Sequence, residues 1–181
     1  MLDNAFKYEE QIKAKFLDVW YDPKYQYYFG DRHREPYALP TNGDWHCRTF
    51  VSLNKEGEVI GMIGYSVDNS VDRAHCFGAI NFTNDIFTFS QDLRQAIDDI
   101  FIKFGMNKME FNVICGNPIE KSYDRMVQKI GGRILCVRKA TARLLDGTIV
   151  DDKMYEIMRE DYLKFKEGLK KNGKQNNPGT V

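Results

Sequence analysis

The chain lacks a surplus of charge of either sign. Over 181 residues, Lys and Arg number 26 and Asp and Glu number 26. A general nucleic-acid binder needs excess Lys and Arg to neutralise phosphates, so that class is not expected, although the balance permits a local basic patch. Paired metal-binding motifs are missing too. The 4 cysteines (Cys47, Cys76, Cys115, Cys136) form no CxxC pair, and the 3 histidines (His33, His46, His75) supply no HxxxH spacing. No zinc or other metal site is therefore expected, and the thiols read as reduced, small apolar side chains. No apolar run approaches the ~18 residues of a membrane span. The opening Met1-Leu2-Asp3-Asn4 has no basic segment followed by an apolar one, so no secretory signal is predicted. These absences lead to the expectation of a soluble, reduced, cytoplasmic protein with no membrane or nucleic-acid partner.

What is present fits an ordinary folded domain. Hydrophobic residues make up 43% and charged residues 29%, values that argue against a disordered, collagen-like or coiled-coil chain. A compact chain of this length hides about 70% of its unfolded surface, enough for a core without staples. The expected organisation is a single domain over 1–169, with a helical N-terminal part over 1–44 and a core over 45–162. A flexible tail over 170–181 is expected to follow.

Hydrophobic periodicity places the elements. Tyr8, Ile12, Phe16, Val19 and Trp20 recur at helical spacing. Asp22-Pro23 reads as the N-cap and first-turn proline of a second helix, stopped by Gly30. Between them, Lys24-Tyr25-Gln26-Tyr27-Tyr28-Phe29 is an aromatic cluster that suits either a binding wall or a packing face. Residues 31–44 read as loop. Runs 45–54 and 59–68 form a hairpin around Lys55-Glu56-Gly57-Glu58, and a third strand runs over 73–83. Gly61 and Gly64 inside the second strand predict a bulge or a close backbone approach.

The period then changes. Leu93, Ala96, Ile97, Ile100, Phe101 and Phe104 trace a helical stripe, with Thr88 and Gln91 spaced as a capping box and Gly105 as the stop. Residues 108–115 alternate as a strand with one apolar face. Gly116-Asn117-Pro118 opens the next helix, with Asn117 as N-cap, and Ile119, Tyr123, Met126, Val127 and Ile130 line its buried side. Strands over 133–145 and 150–159 follow around Asp146-Gly147. Tyr162, Leu163, Phe165 and Leu169 predict a short terminal helix.

A strand–helix–strand unit in the middle of this order needs a crossover. The order carries three further pieces. They are Gly116-Asn117-Pro118, the amphipathic helix ending Lys129-Ile130-Gly131-Gly132, and the terminal run from Asp146 through Tyr155-Glu156-Ile157-Met158. On these pieces, residues 45–162 resemble the GNAT (N-acetyltransferase) superfamily, in the branch that acetylates amino groups on proteins and small amines. That branch commonly ends with Gly, then Asp, then a Tyr four positions later, matched here by Gly147, Asp151 and Tyr155. The N-terminal helices differ from that family's usual opening strand.

The resemblance implies an α/β (α+β) fold, a mixed, twisted, mostly antiparallel sheet whose splayed central parallel strands are flanked by helices. It implies transfer of an acetyl group from acetyl-CoA to a small-molecule amine or a protein amino group. The splayed strands would be 74–83 and 109–115, with Ile80, Asn81, Phe82 and Thr83 holding the pantetheine arm. The pyrophosphate would sit at the start of the following helix, with Thr88, Ser90 and Gln91 as donors. Here the chain departs from the family pattern. Residues 83–92 hold no glycine and no basic residue, and they include Asp85 and Asp92. That departure favours the alternative, a catalytically inactive GNAT-fold binding or regulatory protein that has lost acetyl-CoA binding.

By the same resemblance, Tyr123 is the candidate acid for the leaving thiolate. It stands one turn before the family's usual Tyr position, which Val127 occupies here. Asn117 would bond the cofactor arm as well as cap its helix. Glu110 is the candidate general base, with His75 a weaker one. Cys115 is not taken as a nucleophile, because direct transfer needs none and no His neighbours it in sequence. Trp20, Tyr25, Tyr27, Tyr28 and Trp45 would wall the acceptor side.

Overall fold

A computed structural model describes residues 1–29, 39 and 44–175. The chain opens with a short strand, β1 (Leu2–Asn4), and a 3-10 turn (Ala5–Tyr8), followed by α1 (Glu9–Val19). A second 3-10 turn (Pro23–Tyr25), capped by the Asp22 carboxylate on the Lys24 N–H, leads into α2 (Gln26–Phe29). Then come β2 (Cys47–Leu53), β3 (Val59–Asp68), β4 (Arg73–Asn81) and α3 (Ile86–Asp98), which continues as a π turn over Asp99–Lys103. The chain closes with β5 (Lys108–Ile114), α4 (Glu120–Ile130), β6 (Arg133–Arg143), β7 (Ile149–Met158) and α5 (Arg159–Gln175).

Among the described residues, seven strands form one sheet in the order β1-β2-β3-β4-β5-β7-β6. Every neighbouring pair is antiparallel except β4–β5, which is parallel. Parallel strands require a crossover, and α3 supplies it. The expected mixed sheet, mostly antiparallel with a parallel central pair, is the observed one.

Each face of the sheet has its own core. On one face α1 lays Ile12 and Phe16 onto Val51, Val59, Met62 and Ile80. On the other, α3, α4 and α5 bring Ile97, Ile100, Phe101, Val127, Ile130 and Tyr162 onto Ile63, Ala74, Met109, Phe111, Tyr155 and Ile157. Fully buried side chains of this size contribute about 1.5–3 kcal/mol each by leaving water, so the helices stay docked through these faces.

Several sequence expectations need correction. The chain does open with a strand, paired with β2 through Asp3↔Val51, which three residues are too short to announce by alternation. α3 does not start with a Thr88–Gln91 capping box. Asp85 is its N-cap, and its carboxylate accepts the Thr88 N–H at 3.0 Å. α4 proper begins at Glu120, two residues after the expected start, although Asn117 Oδ1 still accepts the Ile119 N–H at 3.1 Å. The terminal helix is longer than expected, reaching Gln175 into the supposed tail. The expected stop at Gly30, nearly all of the 31–44 loop and residues 176–181 lie outside the described residues.

Of the two glycines of β3, Gly61 bears out the close approach and Gly64 the bulge. A Cβ at Gly61 would run into the Phe89 ring and the Ile80 carbonyl. Beside Gly64 the β3–β4 register shifts, so that Tyr65 faces both Cys76 and Phe77.

Candidate functional site

β4 and β5 pair only at their starts, through Arg73↔Lys108 and Ala74↔Met109. From His75 and Glu110 onward the two strands run apart, leaving a wedge-shaped gap in the middle of the sheet. Aromatic packing props it. The Phe77 and Phe111 rings meet edge to face across the gap at 6.4 Å between centroids. Unpaired strand edges offer N–H and C=O groups that need partners.

Alternation decides which groups of β4 face the gap. The Phe82 N–H donates to the Ile60 carbonyl at 2.8 Å, so Phe82 and Ile80 direct their backbone groups to β3. Ala79 and Asn81, one position out of phase, present theirs to the gap. Of Ile80, Asn81, Phe82 and Thr83, Asn81 is therefore the one whose strand backbone groups face the gap. The Asn81 and Thr83 side chains shape the turn into α3: Asn81 Oδ1 accepts the Thr83 N–H at 2.9 Å and the Thr83 hydroxyl at 3.1 Å.

The start of α3 follows this turn. The Asp85 carboxylate occupies the position where an anion would meet the helix N–H groups, and its bond from Thr88 holds it below the usual carboxylate pKa. Ile86 and Phe87 of the first turn are exposed, Gln91 is exposed and Ser90 is half-buried. Asp92 does not share this surface. It is buried and accepts the Ser52 hydroxyl at 2.6 Å. Of the two carboxylates, only Asp85 therefore lies exposed to the start of α3, since Asp92 is held by Ser52 and the Met1 ammonium.

α4 carries Tyr123 over the gap. Its ring packs on Phe111 at 5.7 Å, and Phe111 stacks on Tyr155 at 4.9 Å. Burial pushes the Tyr123 hydroxyl above the usual tyrosine pKa, so it holds its proton at neutral pH. A polar clamp sets the height of α4. Lys153 on β7 pairs with Glu120 at 2.6 Å and Asp124 at 3.0 Å. Tyr155 donates to Asp124 at 2.7 Å, and Glu120 accepts the Gly116 N–H at 2.9 Å. Sequence reasoning did not find this clamp, because its members come from two distant segments.

Glu110 lies just past the last β4–β5 pair, on the face away from α4. Burial alone would raise its pKa, but Lys108 at 2.6 Å and Arg73 at 3.2 Å outweigh it and hold the carboxyl below the usual range. A carboxylate so engaged is a poor proton acceptor, which argues against the base role. The same face continues with Glu156, paired to Arg133 at 2.7 Å, and with Asp152, which binds Arg138 and the Asn112 amide.

α2 crosses the gap on that face. Tyr28 lies 3.7 Å from where a Gly78 Cβ would stand, and the Tyr27 hydroxyl 3.7 Å from that of Gly116. Tyr25 donates to the Phe82 carbonyl at 3.3 Å, and Gln26 accepts the Leu145 N–H at 3.3 Å. The aromatic cluster thus divides its roles: Tyr25 is core, while Tyr27 and Tyr28 cover the two lips. Trp20 packs against the α1 core. Trp45 does not join the wall. Register puts it before the Cys47↔Ser66 and Ser66↔His75 pairs, at the closed end of the gap and in solvent.

No protein-family model matches the chain, and no curated protein matches it in sequence. Solved structures do. A GCN5-related N-acetyltransferase from Brucella melitensis aligns with TM-score 0.68 at 15% identity, covering 92% of this chain and 78% of that one. The spermidine/spermine N-acetyltransferase SpeG from Vibrio cholerae aligns with TM-score 0.57 at 18% identity, covering 67% of this chain and 71% of that one. A structure described as an acetyltransferase aligns with TM-score 0.54 at 18% identity over 69% of this chain. The chain spans 63% of that protein's length. At these identities the likeness is one of fold.

Proposed function

Starting from a chain with the fold of the GNAT N-acetyltransferases, we propose that this protein transfers an acetyl group from acetyl-CoA to an amine in the cytoplasm. The acceptor would be a small-molecule amine or a protein amino group. The observation that carries this reading is the open edge of β4 opposite β5. An amide-containing pantetheine arm can pair with the Ala79 and Asn81 backbone groups as a strand would. The thioester then lies between the strands, where a β4 N–H polarises its carbonyl. A neutral amine attacks that carbonyl, the C–S bond breaks and Tyr123 protonates the leaving thiolate, while the attacking nitrogen sheds its extra proton to solvent, which restores the Tyr123 phenol. Glu110, held by Lys108 and Arg73, is given no part in this step.

One observation favours the second reading, a GNAT-fold binding or regulatory protein without acetyl-CoA. Asp85 caps α3 where a pyrophosphate would bind, and residues 83–92 supply no cation to offset it. Thermal unfolding with increasing acetyl-CoA separates the two. Ligand at 100 times its Kd stabilises a fold by about 2.7 kcal/mol, a readily measured rise in Tm. No rise at millimolar acetyl-CoA overturns the enzyme reading in favour of the second.

A further inference from the structure

The sheet face away from α4 layers its charges. Glu110, Glu156 and Asp152 are buried in it, and each is paired by cations nearer the solvent: Lys108 and Arg73 on Glu110, Arg133 on Glu156, Arg138 on Asp152. The Arg138 side chain is 44% exposed against 3% for Asp152. Among the described residues of β5, β6 and β7, this face therefore holds no free carboxylate for a cationic ligand, while an anionic group arriving from solvent meets guanidinium first. A bulge puts Arg138 there. Arg133 and Arg138 are an odd number of positions apart, which on a regular strand means opposite faces. The β6–β7 register shifts at Leu135, so both land on one face, opposite Glu156 and Asp152. Asp152 takes Nε at 2.8 Å and Nη2 of the Arg138 fork. The other edge of the fork, through Nη1, has no partner among the described residues. Asp152 also accepts the Asn112 amide at 2.9 Å, so one buried carboxylate ties Arg138 to β5. Asn112 lies beyond Met109, the last β5 residue paired with β4, and is exposed although β5 is an inner strand. Its Oδ1 accepts no hydrogen bond among the described residues.

We propose that the acceptor is a small-molecule amine that also carries a carboxylate, and that Arg138 binds this carboxylate. The proposal rests on the reading of the gap as an acetyl-transfer site. On the α4 side the gap is filled by Phe77, Phe111 and Tyr123. On the other side α2 covers the lips at Gly78 and Gly116 but leaves Asn112 exposed, so the acceptor approaches there. The free edge of the Arg138 fork forms two parallel N–H···O bonds to the acceptor carboxylate. Asn112 Oδ1 accepts from the acceptor nitrogen and turns it toward the thioester. Both side chains bind and orient, and neither exchanges a proton. A polyamine finds no counterion on this floor, because Asp152, Glu156 and Glu110 are already engaged.

The test uses the full chain, acetyl-CoA and matched acceptors: the standard amino acids, β-alanine and 4-aminobutyrate, each beside its decarboxylated amine, with spermidine as a separate arm. Product is read by mass spectrometry. The best acid should exceed its decarboxylated partner at least about tenfold in kcat/KM. Arg138→Gln should raise KM for that acid at least about tenfold, with KM for the matched amine and Kd for acetyl-CoA unchanged. Arg138→Gln leaves Asp152 buried without its partner, so Arg138→Gln with Asp152→Asn is the second variant, and it should show the same split. An equal rise for acid and amine assigns Arg138 a structural role and overturns the proposal. Acetylation of spermidine or the decarboxylated amines as well as of the acids, or of none of the acids while acetyl-CoA binds, overturns it too and leaves the acetyl-CoA reading standing. Binding of the acids is also read without acetyl-CoA, by saturation-transfer NMR. An acid that binds wild type but not Arg138→Gln, in a chain that does not bind acetyl-CoA, keeps the carboxylate site and removes the acetyl-CoA reading. Binding of neither removes both.

Discussion

The two edges of β4 behave differently. Along β3 it pairs from Arg73 to Asn81, interrupted only by the bulge beside Gly64. Along β5 the pairing stops after Ala74. The same nine residues therefore make a closed seam on one side and an open one on the other. The difference lies in what packs beside each edge. On the closed side Gly61 lets the strands and the Phe89 ring come together. On the open side Phe77 and Phe111 stand edge to face under the gap. A strand's capacity to pair is set by its backbone, but whether it pairs depends on side chains that hold the neighbour near or away.

Phe111→Ala would remove the centre of the stack that includes Phe77, Tyr123 and Tyr155. The expected loss is about 3–5 kcal/mol in chemical denaturation. A loss under about 1 kcal/mol would show that the ring does not prop the open edge.

Tyr123→Phe keeps that packing and removes the hydroxyl above the gap. Acetyl transfer should fall about a hundredfold while acetyl-CoA affinity holds, read as a drop in kcat at constant Kd. Unchanged kcat removes Tyr123 from the acid role.

Glu110→Gln probes the first position past the closed pairs. It leaves Lys108 and Arg73 short of a partner and should cost about 1–3 kcal/mol. The pH dependence has a definite sign. The folded-state pKa of Glu110 lies below its ordinary 4.5, so its contribution is full above that value and is lost as pH falls through the lowered one. The stability gap between wild type and variant should therefore shrink on acidification. A gap that stays constant down to strongly acidic pH contradicts the ion-pair account.

The smallest effect belongs to the far end of the open edge. Asp85→Asn keeps a good N-cap while removing the charge at the start of α3. Acetyl-CoA should then bind a few-fold more tightly by titration calorimetry. Unchanged affinity would place the pyrophosphate away from α3.

Much of the fold was legible in the residues. α3 and α4 announce themselves through single apolar stripes, and the β2–β3 and β6–β7 hairpins through their turns. Tyr123 on α4 was named from the family resemblance, and spacing placed it only on the apolar stripe of that helix. β1 escaped because three residues carry no period. The Asp85 cap escaped because Thr88 offered an equally good local pattern. The burial of Asp92 depends on Ser52, 40 residues away in sequence. The shared face of Arg133 and Arg138 was invisible for a different reason. Their odd spacing in a strand normally means opposite faces, and only the bulge reverses that.

By itself the sequence determined the order of elements from α1 onward and the apolar face of each helix. Those features follow from local period and turn chemistry, which a chain carries wherever it goes. Only the tertiary structure decided that β4 opens toward β5, that Glu110 is tied to Lys108 and Arg73, and that Arg138 and Asn112 meet on Asp152 beside the gap. Each depends on distances between segments far apart in sequence or on a register shift between two strands. Neither is written in the spacing of residues along one strand.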